Sequence, residues 1–287
     1  MLLRKVDDTI GFIHFLLTPI VLGPFIACWI SPHIYDDTVH GFVEPGYEEV
    51  LEAFRRNFGE GLEREGAAVA VYHRGRPVVD LWGDLSVDIG VDRREAHRVA
   101  RVTTPSLWEF LRDCIKNPKL IGMLGIMYAR FDEIVWRMRE NTKWLLINYD
   151  TMAVNDPDIL SLSMPAVTGV ANAADLSRLF SLALDGTLIR NSTLERISTP
   201  TLDDWHLERV ALWPIRKGHG FFYERNPIAP GKFVFGHPGY GCQFVLADPS
   251  NQLTIAYVAN GLKTGTAEVC TTYMRLQRAV YDALRDS

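Results

Sequence analysis

The chain has 287 residues, an apolar share of 47% and a formal net charge of −5 at pH 7. These values indicate a globular protein with a real core, in one large domain or two small ones, and they exclude a disordered chain. The net charge is small and no run of Lys or Arg occurs, which argues against a nucleic-acid partner.

An uncharged apolar segment lies near the N-terminus. No side chain between Thr9 and Tyr35 carries a formal charge, and a bilayer-spanning helix needs about 20 apolar residues. Pro19 and Pro24 would kink such a helix, which membrane helices tolerate. We therefore predict a transmembrane anchor at residues 9–35, with the lipid bilayer as its partner.

Charges beside this segment indicate its orientation. Arg4 and Lys5 precede it, whereas Asp36 and Asp37 follow it. The positive-inside rule then places residues 1–8 in the cytosol and the main domain on the other side, as in a single-pass membrane protein. The segment could instead be a cleaved signal peptide, although the stretch is long and lacks an A-x-A site. It could also be a hydrophobic helix that is buried or lies on a surface.

The main domain begins with a helix and a hairpin. Residues 40–46 are a turn-rich stretch, and apolar side chains at helical spacing then predict an amphipathic helix over residues 47–58. Two short apolar runs, at 67–72 and 77–82, predict strands. The four residues between the two runs form a turn, so the runs predict an antiparallel hairpin.

The middle of the domain is predicted to be a loop followed by helices. Residues 84–94 are polar and lack periodicity, which indicates a loop. Thr104 is predicted to cap a helix whose first residue is Pro105. Helical patterns continue with breaks to about Arg139, and two further helices are predicted at residues 172–184 and 194–197.

The rear of the domain is predicted to contain strands and a terminal helix. The strand-like runs are residues 232–235, 243–247 and 253–259, with a turn at 248–251, and the helix spans 266–284. Strands at both ends with helices between them predict an α+β domain over residues 40–285. Its antiparallel sheet is formed from both chain ends and flanked by helices.

Four widely spaced cysteines occur, at Cys28, Cys114, Cys242 and Cys270. No C-x-x-C spacing is present, which argues against a zinc site or a redox pair. We predict free, mostly buried thiols, since cysteine packs as a small apolar residue. The sequence neither supports nor excludes a disulfide. No cofactor and no metal are predicted.

Several motifs occur in a fixed order between residues 40 and 284. They are G-F-V at 41–43, G-A-A at 66–68, V-D-L-W-G at 79–83, E-A-H-R-V-A at 95–100, G-V-A-N-A-A-D-L at 169–176 and F-G-H-P-G-Y-G at 235–241. In this order they resemble the serine β-lactamase-related family, which includes class C β-lactamases, family VIII esterases and animal β-lactamase-like proteins. The resemblance implies a β-lactamase/transpeptidase-like fold and serine-dependent hydrolysis of an ester or amide.

Two of the three elements that this family uses for catalysis are missing. They are S-x-x-K, which supplies the nucleophile and its base, and Y-x-N or S-x-N, which supplies a second acid or base. No serine here has a lysine three residues later, and no Tyr or Ser has an asparagine two residues later. The residues from Glu95 onward resemble family sequence that lies beyond both motifs. We therefore predict an internal truncation near residues 83–95, a reduced helical region and lost activity.

The third element is K-T-G or H-x-G on a strand edge beside the serine, and it is present. His237-Pro238-Gly239 matches its H-x-G form, and the N–H of Tyr240 corresponds to a retained oxyanion donor. Alternatively, His237 and Gly239 only shape a β-turn. A second match, K-T-G at residues 263–265, is interpreted as a decoy, because the functional motif must begin a strand and a helix is predicted to follow here.

These observations predict a membrane-anchored, β-lactamase-related protein that lacks serine hydrolase activity. The alternative function is non-catalytic binding of a small acyl or peptide ligand. A third possibility is poor folding, because the lost segment includes a core helix of the parent fold and would leave apolar surface uncovered.

Overall fold

The computed structural model describes residues 39–84, 102–129, 147–148, 151–152, 155–164, 169–202 and 214–286. The anchor predicted at residues 9–35 and most of the truncated junction near 83–95 lie outside these ranges. Within the described ranges, no helix has both the length and the apolar character needed to cross a bilayer.

Ten strands lie in the described ranges, and eight of them form one antiparallel sheet. The strands are β1 (Val39–Val43), β2 (Gly66–His73), β3 (Arg76–Asp84), β4 (Ile147–Asn148), β5 (Thr151–Met152), β6 (Arg216–Gly218), β7 (Phe221–Arg225), β8 (Phe233–Pro238), β9 (Phe244–Asp248) and β10 (Leu253–Ala259). The sheet order is β1-β3-β2-β10-β9-β8-β7-β6, and β4 pairs with β5 separately. Since β2 pairs with β10, the prediction of a sheet formed from both chain ends is confirmed.

Seven α-helices lie in the same part of the chain. They are α1 (Glu48–Gly59), α2 (Leu107–Lys116), α3 (Pro118–Ala129), α4 (Pro157–Leu160), α5 (Ala173–Leu184), α6 (Asn191–Ile197) and α7 (Thr271–Asp286), and a 3-10 turn (Ala267–Val269) precedes α7. Helices α1 and α7 cover one face of the sheet, and α5 covers the other. The result is an α+β domain of three layers, as predicted.

The two faces of the sheet differ in side-chain size because strand residues alternate between them. The face toward α1 and α7 carries the larger apolar side chains, among them Tyr257, which is fully buried beside Tyr273 of α7. The face toward α5 is lined by small residues such as Ala70 and Ala256. Small side chains let α5 approach closely, and the Ser177 hydroxyl lies 2.9 Å from the Thr254 hydroxyl across that interface.

Most predicted elements are confirmed, but the turn-rich start of the domain is a strand instead. Residues of β1 pair with β3, and Gly41 has a φ of 114° at this contact. A Cβ at Gly41 would lie 1.9 Å from the carbonyl oxygen of Asp80. The glycine therefore permits close contact between two strands, whereas its local pattern indicates only a turn.

The start of α2 and the β6–β7 hairpin also differ from prediction. Ser106, not Thr104, caps α2: its hydroxyl accepts from the Glu109 N–H, and the Glu109 carboxylate accepts from the Ser106 N–H. This capping box satisfies two backbone donors at once, which Thr104 before Pro105 does not achieve. Strands β6 and β7 were missed because they are short and their apolar residues do not alternate clearly.

The Gly236→Ala variant tests the packing of β8 against β9. A Cβ at this position would lie 1.9 Å from the Val245 carbonyl oxygen, so we expect unfolding free energy to fall by about 1–3 kcal/mol. Urea denaturation measures the change. The control is Gly59→Ala at the end of α1, where no atom lies within 4 Å of the new Cβ; equal midpoints for the two variants would contradict the packing described here.

Candidate active site

The H-P-G motif lies at the end of β8, where the chain turns into β9. His237 and Pro238 are the last two residues of the strand, and the N–H of Gly239 donates to the Gln243 carbonyl oxygen at 2.8 Å. A Cβ at Gly239 would lie 2.8 Å from the Gln243 Cβ. The tight turn therefore favours glycine here, and it leaves the Tyr240 side chain 57% exposed.

His237 is an exposed residue near the end of β8. It pairs with Val245, which lies in one apolar cluster with Ala70, Ala256 and Ala173 of α5. The imidazole packs against the Phe222 ring at a centroid distance of 4.8 Å with the two planes tilted by 31°, and its Nδ1 lies 2.7 Å from the Pro238 carbonyl oxygen. Since a carbonyl oxygen only accepts, this contact favours the tautomer with the hydrogen on Nδ1, and in that tautomer Nε2 can accept a hydrogen bond.

The turn after β8 is fastened to the segment between β10 and α7. The Gly241 carbonyl oxygen accepts from the Lys263 N–H at 3.2 Å, and the Gly239 carbonyl oxygen accepts from the Thr266 hydroxyl at 3.1 Å. A disulfide joins Cys242 to Cys270. Three independent links thus fix the backbone that presents the Tyr240 N–H.

The disulfide corrects the prediction of free thiols. Cys242 and Cys270 are 28 residues apart, and only the fold brings them together. Cys114 is free and buried, as predicted, and burial raises the pKa of its thiol. Cys28 lies outside the described residues.

The K-T-G sequence at residues 263–265 lies between β10 and the 3-10 turn and starts no strand, which agrees with its interpretation as a decoy. The Lys263 ammonium is buried, 2.7 Å from the Glu63 carboxylate, and the Tyr257 hydroxyl donates to the same carboxylate. Loss of hydration lowers the pKa of Lys263 and raises that of Tyr257.

This buried pair is next to a second ion pair that holds α2 against the end of the sheet. Arg64 lies 2.6 Å from Asp113 of α2, and the other oxygen of Asp113 accepts from the Thr264 N–H at 3.0 Å. Charged groups buried this deeply require partners, and these partners come from three distant parts of the chain. Sequence analysis missed the network because no local spacing identifies it.

Three serine hydroxyls in the described part of the chain form hydrogen bonds that stabilise helices or their packing. Ser177 bonds to Thr254 beneath α5, Ser106 caps α2 and Ser198 donates to the Leu194 carbonyl oxygen. His237, Gly239 and Tyr240 are neighbours in the sequence and lie together at the turn after β8, and their role as a site stays a prediction. Among the described residues, none of these three serine hydroxyls is paired with a lysine.

Comparison with known proteins supports the same fold. The sequence model of the family described as Beta-lactamase matches residues 88–279, more than half of the chain. A family VIII carboxylesterase structure is similar with a TM-score of 0.51 and 16% identity, over 85% of this chain and 99% of that one. EstA from Arthrobacter nitroguajacolicus Rue61a gives a TM-score of 0.52 and 19% identity, over 85% and 98%.

A penicillin-binding protein homolog from Caulobacter crescentus gives a TM-score of 0.49 and 17% identity, over 85% of this chain and 99% of that one. None of the curated proteins matches the chain in sequence. Identities this low bear on the fold alone, and the β-lactamase/transpeptidase-like fold expected from the motifs is confirmed.

Reduction tests the disulfide at the candidate site. Breaking a cross-link that spans 28 residues removes a constraint on the unfolded chain worth about 3–4 kcal/mol. We therefore expect dithiothreitol, or the Cys270→Ser variant, to lower the unfolding midpoint. Peptide mapping without reduction should show residues 242 and 270 in linked peptides, while alkylation of both thiols in the untreated protein would contradict the assignment.

Proposed function

The chain belongs to the Beta-lactamase family, and we propose that it is a member without serine hydrolase activity that binds a small acyl or peptide ligand. The ligand site is the turn after β8. The membership supports serine-dependent hydrolysis of an ester or amide as the parent activity, and the residues present suggest how much of that activity this chain retains.

The observation that carries the proposal is the presence of one motif without the other two. H-P-G is present at the end of β8, whereas S-x-x-K and Y-x-N or S-x-N occur nowhere in the sequence. An acyl-enzyme requires a hydroxyl and a base that removes its proton. Without that pair, a donor aimed at a carbonyl oxygen stabilises no covalent intermediate.

Binding without turnover uses the groups that are left. The Tyr240 N–H corresponds to the oxyanion donor and would donate to a ligand carbonyl, while Nε2 of His237 would accept from a ligand N–H or hydroxyl. The exposed Tyr240 ring and the Phe222 ring, which packs against His237, add apolar surface beside them. This combination suits an acylated amine or a short peptide.

Membrane attachment through residues 9–35 is the second part of the proposal. The apolar segment and its flanking charges favour a single span with a cytosolic N-terminus. The disulfide between Cys242 and Cys270 agrees with this orientation, because disulfides persist mainly outside the reducing cytosol. Two unrelated features thus favour a domain on the non-cytosolic side.

A covalent activity probe tests the loss of hydrolysis. Purified protein is incubated with a fluorophosphonate or a fluorescent penicillin, with a family VIII carboxylesterase as positive control. We expect no labelled band for this chain, since no activated hydroxyl is present. An adduct on any serine, located by peptide mass spectrometry, would overturn the proposal.

Two substitutions at Tyr240 test the binding site. Tyr240→Pro removes the backbone N–H, whereas Tyr240→Ala removes only the ring. A saturating N-acyl amino acid at about 100 times its dissociation constant stabilises a folded protein by about 2.7 kcal/mol. We expect this stabilisation to raise the melting temperature of the wild type and of Tyr240→Ala, but not that of Tyr240→Pro. Equal ligand response in both variants, with unchanged melting of the free proteins, would exclude the N–H as donor.

Carbonate extraction of membranes from cells that express the full chain tests the anchor. Peripheral proteins are released at high pH, whereas a spanning helix stays in the bilayer because its apolar side chains would otherwise be exposed to water. We expect the chain in the membrane pellet. Its release into the supernatant would contradict the anchor and favour a cleaved signal peptide, or a buried or surface-lying helix, at residues 9–35.

A further inference from the structure

Helix α2 presents one stripe of apolar side chains to solvent. Leu107 is 69% exposed, Trp108 is 48% exposed and Ile115 is 65% exposed, with half-buried Leu111 between them. At 100° per residue these four side chains fall within an arc of about 100° on the helix. A helix on a globular domain normally directs such a stripe inward, so we call these four residues the α2 stripe.

The orientation of α2 is fixed by polar contacts on its opposite side. Asp113, which is buried, pairs with Arg64 at 2.6 Å and accepts from the Thr264 N–H. The Glu109 carboxylate lies 3.3 Å from Arg64 and also completes the cap at Ser106. Rotating the α2 stripe inward would break these buried ion pairs. The stripe is therefore held outward by the fold.

Apolar and basic groups continue beyond the stripe. Ile121 of α3 is 58% exposed, close after the end of α2. Arg112 and Lys116 lie next to the stripe on α2 and donate to the Gly61 and Glu60 carbonyl oxygens, and the exposed Lys119 follows on α3. An apolar surface that includes a tryptophan and has cations along its border is complementary to anionic lipid headgroups and the acyl chains beneath them.

The α2 stripe lies at the end of the sheet where the chain arrives from the proposed anchor. Val39 pairs with Gly83, and the adjacent Asp84 pairs with Gly66. Residues 60–65, which directly precede Gly66, hold α2. The predicted anchor ends at residue 35, four residues before Val39, and a chain of four residues can span at most about 14 Å.

We propose that the α2 stripe rests on the surface of an anionic bilayer, beside the point where the anchor enters it. This inference rests on the membrane attachment proposed above. The end of β8 lies at the same end of the sheet, since Pro238 pairs with Phe244 and Phe244 pairs with Tyr257 near the end of β10. Docking therefore brings Tyr240 toward the headgroups, where the available ligands are acylated lipids.

An environment-sensitive fluorophore on α2 tests the docking. Full-length Ile115→Cys is labelled with a nitrobenzoxadiazole dye in a Cys28→Ser background. Cys114 is buried and the other two cysteines form the disulfide. The matched control is Leu188→Cys, because Leu188 lies in the turn after α5 and is 49% exposed. Both proteins are reconstituted into phosphatidylcholine vesicles with and without phosphatidylserine.

We expect a blue shift of the dye at residue 115 and its quenching by bromine-labelled lipids, stronger with phosphatidylserine and reduced by Lys119→Glu. The dye at residue 188 should show neither effect. If the protein floats with the vesicles but the dye at residue 115 shows no blue shift, the docking is overturned and the anchor stands. If the protein does not float with the vesicles, both are overturned. A shift that needs no lipid and grows with protein concentration indicates a second copy of the chain and also overturns the docking.

Discussion

The antiparallel pairing of β2 with β10 is the contact on which the described domain depends. Seven residue pairs, from Ala67 with Ala259 to Leu253 with His73, join segments that are almost 200 residues apart in sequence. This register puts Val69, Ile255 and Tyr257 beneath α1 and α7 and puts Ala70 and Ala256 beneath α5. A slip of one residue would exchange the large and small faces. The same pairing adds the rear strands to the front hairpin, which places the end of β8 where a site can form.

The candidate site is linked to its surroundings by covalent and hydrogen bonds. A disulfide and two hydrogen bonds hold the turn at residues 239–243 against the segment that leads into α7. A preorganised donor is useful for stabilising an oxyanion and equally useful for binding a carbonyl group that does not react. In our proposal, the absence of S-x-x-K separates binding from turnover, and the chain keeps the binding property.

Buried charges shape the end of the sheet near this site. The Glu63–Lys263 and Arg64–Asp113 pairs connect the segment before β2, the loop after β10 and helix α2. Such pairs contribute little net stability, but each member requires its partner once it is buried. They explain why Lys263 is unavailable for chemistry despite its K-T-G context. They also explain why α2 directs Glu109 and Asp113 inward, beside the buried Cys114, and leaves the α2 stripe facing outward.

The sequence by itself determined the elements whose residues show a clear local period. The β2–β3 hairpin, α1, α5 and the β9–β10 hairpin were predicted within a few residues, because alternation and helical spacing are local properties of the chain. The order of motifs likewise determined the family and the fold. Tertiary structure alone decided the rest. The strand at Gly41, the bond between Cys242 and Cys270, and the ion pair of Lys263 with Glu63 all depend on residues that are distant in sequence and meet only after folding.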